Sequence, residues 1–190
     1  MQDLVTKAIF GLSQPVGPKP NRSLESPYTK EYYGICGIRH MGGGDRTCYH
    51  GKVPQSLKGT LKPRRTQIVA YELIAAIMGI LQGKDILATN MGVRHFVDSN
   101  PARQGIVRAN SKQPDLNNLI GMVWYVAGKM LRRYWCNYVR SSSNLADAPS
   151  RGNFSIMKQI GARVVAADFT RVIRFAENWS ASIEVEALVQ

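Results

Sequence analysis

Two periodicities alternate along this 190-residue chain, one of about two residues and one of about 3.6. From Tyr32 to Met41 the run YYGICGIRHM is dense in residues that suit a pleated surface. GGGD at 42–45 supplies a turn and RTCYHGKV at 46–53 returns, so the pattern predicts a hairpin. After the basic connector PQSLKGTLKPRR, the segment TQIVAYELIAAIMGILQ places Ile68, Tyr71, Ala75 and Met78 at helical spacing, with Gly79 and Gly83 weakening its end. VRHFVD at 93–98 is short, β-branched and aromatic. The SNP behind it cannot continue a central strand, because proline has no N–H to donate, so a buried strand is expected to end at Asp98.

PARQGIVRAN fits a short helix with proline in its first turn. PDLNNLIGMVWYVAGKMLRR fits a longer one that starts at Pro114 and Asp115. Leu116, Leu119, Ile120, Val123 and Val126 form its apolar stripe, Trp124 is read as core on that stripe, and Arg132 and Arg133 are read as its last turn. YWCNYV at 134–139 is another strand, and Asn144 is the expected N-cap of a helix within LADAPSRG. This order of elements implies an α/β domain, a mixed sheet flanked by helices. Residues 12–27, rich in proline and serine, read as a linker. The expected organisation is therefore a flexible arm over 1–27, a domain over 28–165 and a helical tail over 166–190.

Composition narrows the partners. The chain is 44% hydrophobic and 20% charged, values at which a chain of this length buries a core. No apolar run approaches the roughly 20 residues that cross a bilayer, and the amino end lacks a signal-peptide core, so an intracellular, non-secreted protein without a membrane partner is expected. The formal charge of +12 is concentrated at the front, where residues 1–65 hold 11 basic and 4 acidic side chains. Such a surface attracts polyanions, which makes nucleic acid the expected partner. Cys36, Cys48 and Cys136 form no CxxC pair, and they stand at irregular spacing from His40, His50 and His95, so neither a disulfide framework nor a structural zinc site is expected.

Three acids fall at informative places: Glu72 on the first long helix, Asp98 at a strand end and Asp147 at a helix start. Carboxylates from separate elements that converge can hold Mg²⁺, a hard cation that prefers oxygen ligands, and a pair of such ions can activate water against a phosphodiester. Each acid taken singly is equally compatible with a cap or a salt bridge.

The segments IVAYELIAA (68–76), HFVDSNPA (95–102), NSKQPDLNNLIGMVW (110–124) and SSNLADAPSRG (142–152) together resemble the ribonuclease H-like domain that accompanies reverse transcriptase in retrotransposon polyproteins. In that family a helix carries glutamate in an ELLAA-like stretch, a strand ends in F-x-D-N, a helix follows S-x-x-P-D-L, and a last helix opens with N-x-A-D-x-x-S-R. GICGIRH is similar to the family's GIGGVLF. The resemblance runs over roughly residues 28–165. It implies a ribonuclease H-like fold with Glu72, Asp98 and Asp147 as catalytic metal ligands for Mg²⁺, or Mn²⁺, and an RNA–DNA hybrid or duplex as substrate. It also implies a reverse transcriptase module of a parent polyprotein as a possible partner. Arg132, Arg133 and Arg151 are the expected phosphate contacts.

One position departs from the family. Its first strand bears an aspartate in a T-D-A/G-S stretch, whereas YTKEYYG stands there in this chain, with Lys30 at or beside the acid's place and Glu31 as a longer stand-in. Ser99 also replaces the asparagine that commonly follows the strand aspartate. Three functions fit this set: a Mg²⁺-dependent endonuclease on the RNA strand of hybrids, a binding module of the same fold without metal chemistry, and a relic fragment. The lysine favours the latter two, while descent favours the label ribonuclease H.

Overall fold

The computed structural model describes residues 5–12, 34–40, 46–82, 92–131 and 133–179. Six strands join in one sheet: β1 (Val5–Leu12), β2 (Gly34–His40), β3 (Arg46–Lys52), β4 (Gly92–Val97), β5 (Arg133–Tyr138) and β6 (Arg163–Ala166). Their order is β5-β4-β1-β2-β3-β6. β2 runs antiparallel to β1 and β3, and the pairs β1–β4, β4–β5 and β3–β6 are parallel. Parallel neighbours need crossover connections. After the short α1 (Gln55–Gly59), these come from α2 (Ile68–Gln82), which lies between β3 and β4 in sequence, and from α3 (Asn100–Arg108) and α4 (Pro114–Met130) between β4 and β5.

The sequence IVAYELIAAIMGILQ is apolar on every side, and a helix of that kind is stable only when buried all round. Leu73, Ile74, Ala76 and Ile77 are indeed wholly buried. α2 packs on β1 and β2 with one side and on α4 with another, and α3 and α7 (Thr170–Trp179) also touch it. On the opposite face of the sheet, α5 (Asp147–Ser150) and α6 (Ser155–Gln159) cover a smaller core of Cys48, Ala146 and Met157, where Phe154 meets the His50 ring edge-on at 5.0 Å. Cys48 is a buried cysteine and Cys136 a half-buried one.

The hairpin, the long helices and the strands at 93–98 and 134–139 lie where the pattern put them, within a residue or two. Several expectations need correction. β1 lies in the middle of the sheet, between β2 and β4, so folded structure starts before Tyr28 and the stretch 1–27 is not an arm throughout. The first described strand is Val5–Leu12, and YTKEYYG, apart from Gly34, lies outside the described residues. VTKAIFGL gives a weak local signal because Lys7 interrupts it and a proline-rich stretch follows. Its strand character comes from pairing on both sides. Lys30, Glu31 and the turn at 42–45 lie outside the described residues.

At the other end, β6 and α7 extend the packed structure past 165, and Phe169, Val172 and Phe175 join the main core. α4 stops at Met130, so Arg133 opens β5 rather than closing a helix, and Arg132 and residues 180–190 lie outside the described residues. Among the described residues no helix is long and apolar enough to cross a membrane.

Candidate carboxylate site and nucleic-acid interface

Glu72 is wholly buried on α2. On β4 and β5, His95 pairs in register with Cys136. His95 Nδ1 lies 2.5 Å from the Tyr134 hydroxyl. Burial pushes the Cys136 thiol up to about 12; Arg103 opposes that rise and the charge of Glu72 adds to it. Glu72 therefore acts electrostatically on a group of the sheet, from inside the core rather than from its rim.

Asp98 follows the last residue of β4 and is half-buried. Next to it, Ser99 caps α3, its Oγ accepting from the Ala102 amide at 3.3 Å. Asn144 donates from Nδ2 to Asp98 Oδ2 at 3.0 Å. The Asn144 carbonyl accepts from the Asp147 amide at 3.1 Å. Asn144 was expected to cap the following helix; α5 begins after Ala146, and the asparagine Oδ1 accepts from the Ala146 amide at 3.1 Å while its Nδ2 holds the strand-end acid. Asp147 pairs with Arg151 one turn on, at 3.1 Å.

The structure thus links Asp98 and Asp147 through one asparagine, while Glu72 lies wholly buried on α2. Among the described residues no three of histidine, cysteine, aspartate and glutamate are grouped to hold a metal ion. None of the six strands contains an aspartate or glutamate. The parallel register of β1 and β4 ends with Ile9 beside Phe96, and β1, as VTKAIFGL, holds no carboxylate. Of the three acids expected to hold Mg²⁺, which takes oxygen ligands, Asp98 accepts from an asparagine, Asp147 pairs with an arginine and Glu72 lies in the core.

The cations divide by place. Arg151 is committed in part to Asp147. Arg133 is exposed at the start of β5. Trp124, read from sequence as core, is 39% exposed; its Nε1 donates to the Ile106 carbonyl at 2.8 Å and its ring meets Tyr134 edge-on. It sits on the shoulder of α4 that faces α3, where the apolar stripe ends.

A feature that sequence patterning missed is a groove of about 430 Å³ between α2, α3 and α4. Gln104, Arg108, Asn110, Ser111 and Lys112 give it a polar, cationic rim without an acid, over a floor that includes Leu73 and Ile120. The signal for it was present in RANSK at 108–112, a basic and amide-rich turn between two helices.

No protein-family model matches the chain, and no curated protein matches its sequence. Solved structures do resemble it. The ribonuclease H of the halophilic archaeon Halobacterium salinarum superposes with a TM-score of 0.51 at 12% identity, over 81% of this chain and 98% of that one. The N-terminal ribonuclease H domain of a Mycobacterium tuberculosis protein, solved as a fusion with maltose-binding protein, gives 0.50 at 14% identity, over 83% and 96%. The chain has a ribonuclease H-like fold.

Proposed function

We propose that this protein is a nucleic-acid-binding domain of retroelement descent that engages RNA–DNA hybrid or duplex and hydrolyses it poorly or not at all. By descent it is a metal-dependent endonuclease that worked beside a reverse transcriptase, with Glu72, Asp98 and Asp147 as its acids. The observation that carries the reading is the sheet without carboxylates: β1 supplies nothing acidic next to Asp98, and Asn144 occupies that acid instead. Two-ion hydrolysis depends on acids that share the metals, and losing one removes much of the charge stabilisation the reaction needs.

Binding asks for less. A net charge of +12 supplies counterion release on contact with phosphates. The groove rimmed by Arg108 and Lys112 offers the cations for a backbone, and Gln104, Asn110 and Ser111 offer amide and hydroxyl groups suited to 2′-hydroxyls. Arg133 and Arg151 remain further candidate phosphate contacts.

Fluorescence anisotropy with labelled hybrid, DNA duplex and RNA duplex across a salt series tests this reading, together with a cleavage gel in Mg²⁺ and in Mn²⁺. The expected result is hybrid affinity that falls steeply with salt, no cleavage in Mg²⁺, and a shallower salt slope for Arg108→Ala with Lys112→Ala. Affinity that ignores salt, or ready cleavage in Mg²⁺, overturns it.

A further inference from the structure

One face of the β4–β5 pair is open, and its chemistry differs from that of the groove. Along β5 the exposures alternate, with Tyr134 and Cys136 turned to the helix-covered core and Arg133, Trp135 and Asn137 exposed on the other side. β4 alternates likewise: Val93, His95 and Val97 are buried while Arg94 is exposed. Trp135 is 48% exposed, unusual for a tryptophan, whose large apolar surface is normally covered. The parallel register sets Arg94 directly beside Trp135, and Arg133 follows on the same face two residues before it.

The patch is local to this edge of the sheet. On the same face α5 packs against β1, β2 and β3, and Arg46 of β3 donates to the Ile160 carbonyl that follows α6. Chance would interleave acids with Trp135, Arg94 and Arg133, but β4 and β5 hold none.

We propose that this row, Trp135 with Arg94 and Arg133, is a second nucleic-acid surface, distinct from the groove between the helices, and that it takes a single strand. An exposed indole offers a flat apolar face, and only unpaired bases present theirs for stacking; the neighbouring guanidinium groups then meet the phosphates that flank the stacked base. A duplex keeps its base faces inside and would gain from the arginines alone. Trp135 also sits on the edge strand of the sheet, so a strand entering from solvent reaches it first.

The test is anisotropy of a fluorescein-labelled oligothymidylate and of the same hybrid used for the groove, with the full chain and its Trp135→Ala, Trp135→Phe and Arg94→Ala variants. Their exposed positions leave folding intact, which thermal melts will check. Trp135→Ala should weaken single-strand binding about tenfold, Trp135→Phe should retain most of it, and hybrid binding should change little. Arg94→Ala should lower the salt slope for the single strand. The proposal is overturned if Trp135→Ala and Arg94→Ala bind oligothymidylate like wild type, or if both variants weaken single strand and hybrid equally. It is equally overturned if light scattering finds a wild-type dimer that Trp135→Ala converts to monomer without any single-strand binding, which would make the row a protein contact.

Discussion

Asn144 donates to Asp98 through Nδ2 at 3.0 Å while its Oδ1 accepts from the Ala146 amide at 3.1 Å. One nearly buried amide side chain thus joins the end of β4 to the entrance of α5, two segments 46 residues apart. Asn144→Ala removes both hydrogen bonds and leaves a buried N–H without its acceptor, which should cost about 1–3 kcal/mol in a urea titration. Asn144→Asp keeps the shape but sets a carboxylate against Asp98. Like charges raise the folded pKa of such a pair above the unfolded value, so this variant should lose stability as pH rises through the carboxylate range. A deficit that is the same in acid and at neutral pH would contradict that placement.

Ile9 pairs with Phe96 at the end of the β1–β4 register, so Gly11, two residues on, is the β1 position at which to test an acid beside Asp98. Gly11→Asp should tighten Mn²⁺ binding measured by calorimetry, roughly 10–100-fold if it behaves like other changes around metal sites. Asp98→Asn in the same background should remove the gain. Lys30→Asp should leave metal binding as it was, because Lys30 is not on β1. An equal gain from Lys30→Asp would relocate the site.

These positions also mark where sequence was a sufficient guide. The segments around Glu72, Asp98 and Asp147 have strong local periodicity or caps, and their elements fell where the pattern indicated. β1 did not, because a strand paired on both sides is held by partners remote in sequence, and neither Lys7 nor the Pro-rich stretch behind it advertises that pairing. The identity of the acids was legible while their company was not. That Asn144 grips Asp98 and that Glu72 lies in the core are tertiary facts, and the N-cap preference of asparagine pointed to the local bond with the Ala146 amide but not to the long-range one beside it. Trp124 shows the same limit, since helical spacing places a residue near a stripe but does not say where the stripe ends.

The C-terminal stretch packs tightly enough to be probed by one atom. A Cβ at Gly51 of β3 would lie 2.9 Å from Ala167 Cβ and 3.0 Å from Phe169 Cε2, and Ala167 is fixed by the hydrogen bond its N–H donates to the His50 carbonyl at 2.9 Å. Gly51→Ala should therefore destabilise the fold by about 1–3 kcal/mol, as overpacking does. Gly59→Ala, where no atom lies within 4 Å, should be near neutral in the same thermal melt. Equal melting temperatures for the two variants would show that residues 166–169 do not hold this position in solution.

His95 makes the stability of the domain sensitive to mild acid. Burial pushes its folded pKa down to about 3, because the core beside Tyr134 disfavours an imidazolium. In the unfolded chain the same group titrates at about 6.5. Between those values the unfolded state binds the additional proton, so unfolding free energy rises with pH in that window and falls on acidification by up to about 1.4 kcal/mol per unit. Asp115 titrates elsewhere: burial raises its pKa, but the Arg64 ion pair and the Lys62 amide outweigh burial, so its contribution is lost only at lower pH, below the unfolded carboxylate value. His50, half-buried against Phe154, is shifted down by burial in the same sense and must be separated. Urea titrations from neutral pH down to about pH 4.5, where unfolded carboxylates begin to matter, should give a steep slope for wild type and for His50→Gln. His95→Gln, which keeps a polar group near Tyr134 but cannot take up a proton, should flatten it. A wild-type slope that survives His95→Gln and disappears in His50→Gln would assign the acid sensitivity to the small core under α6 instead.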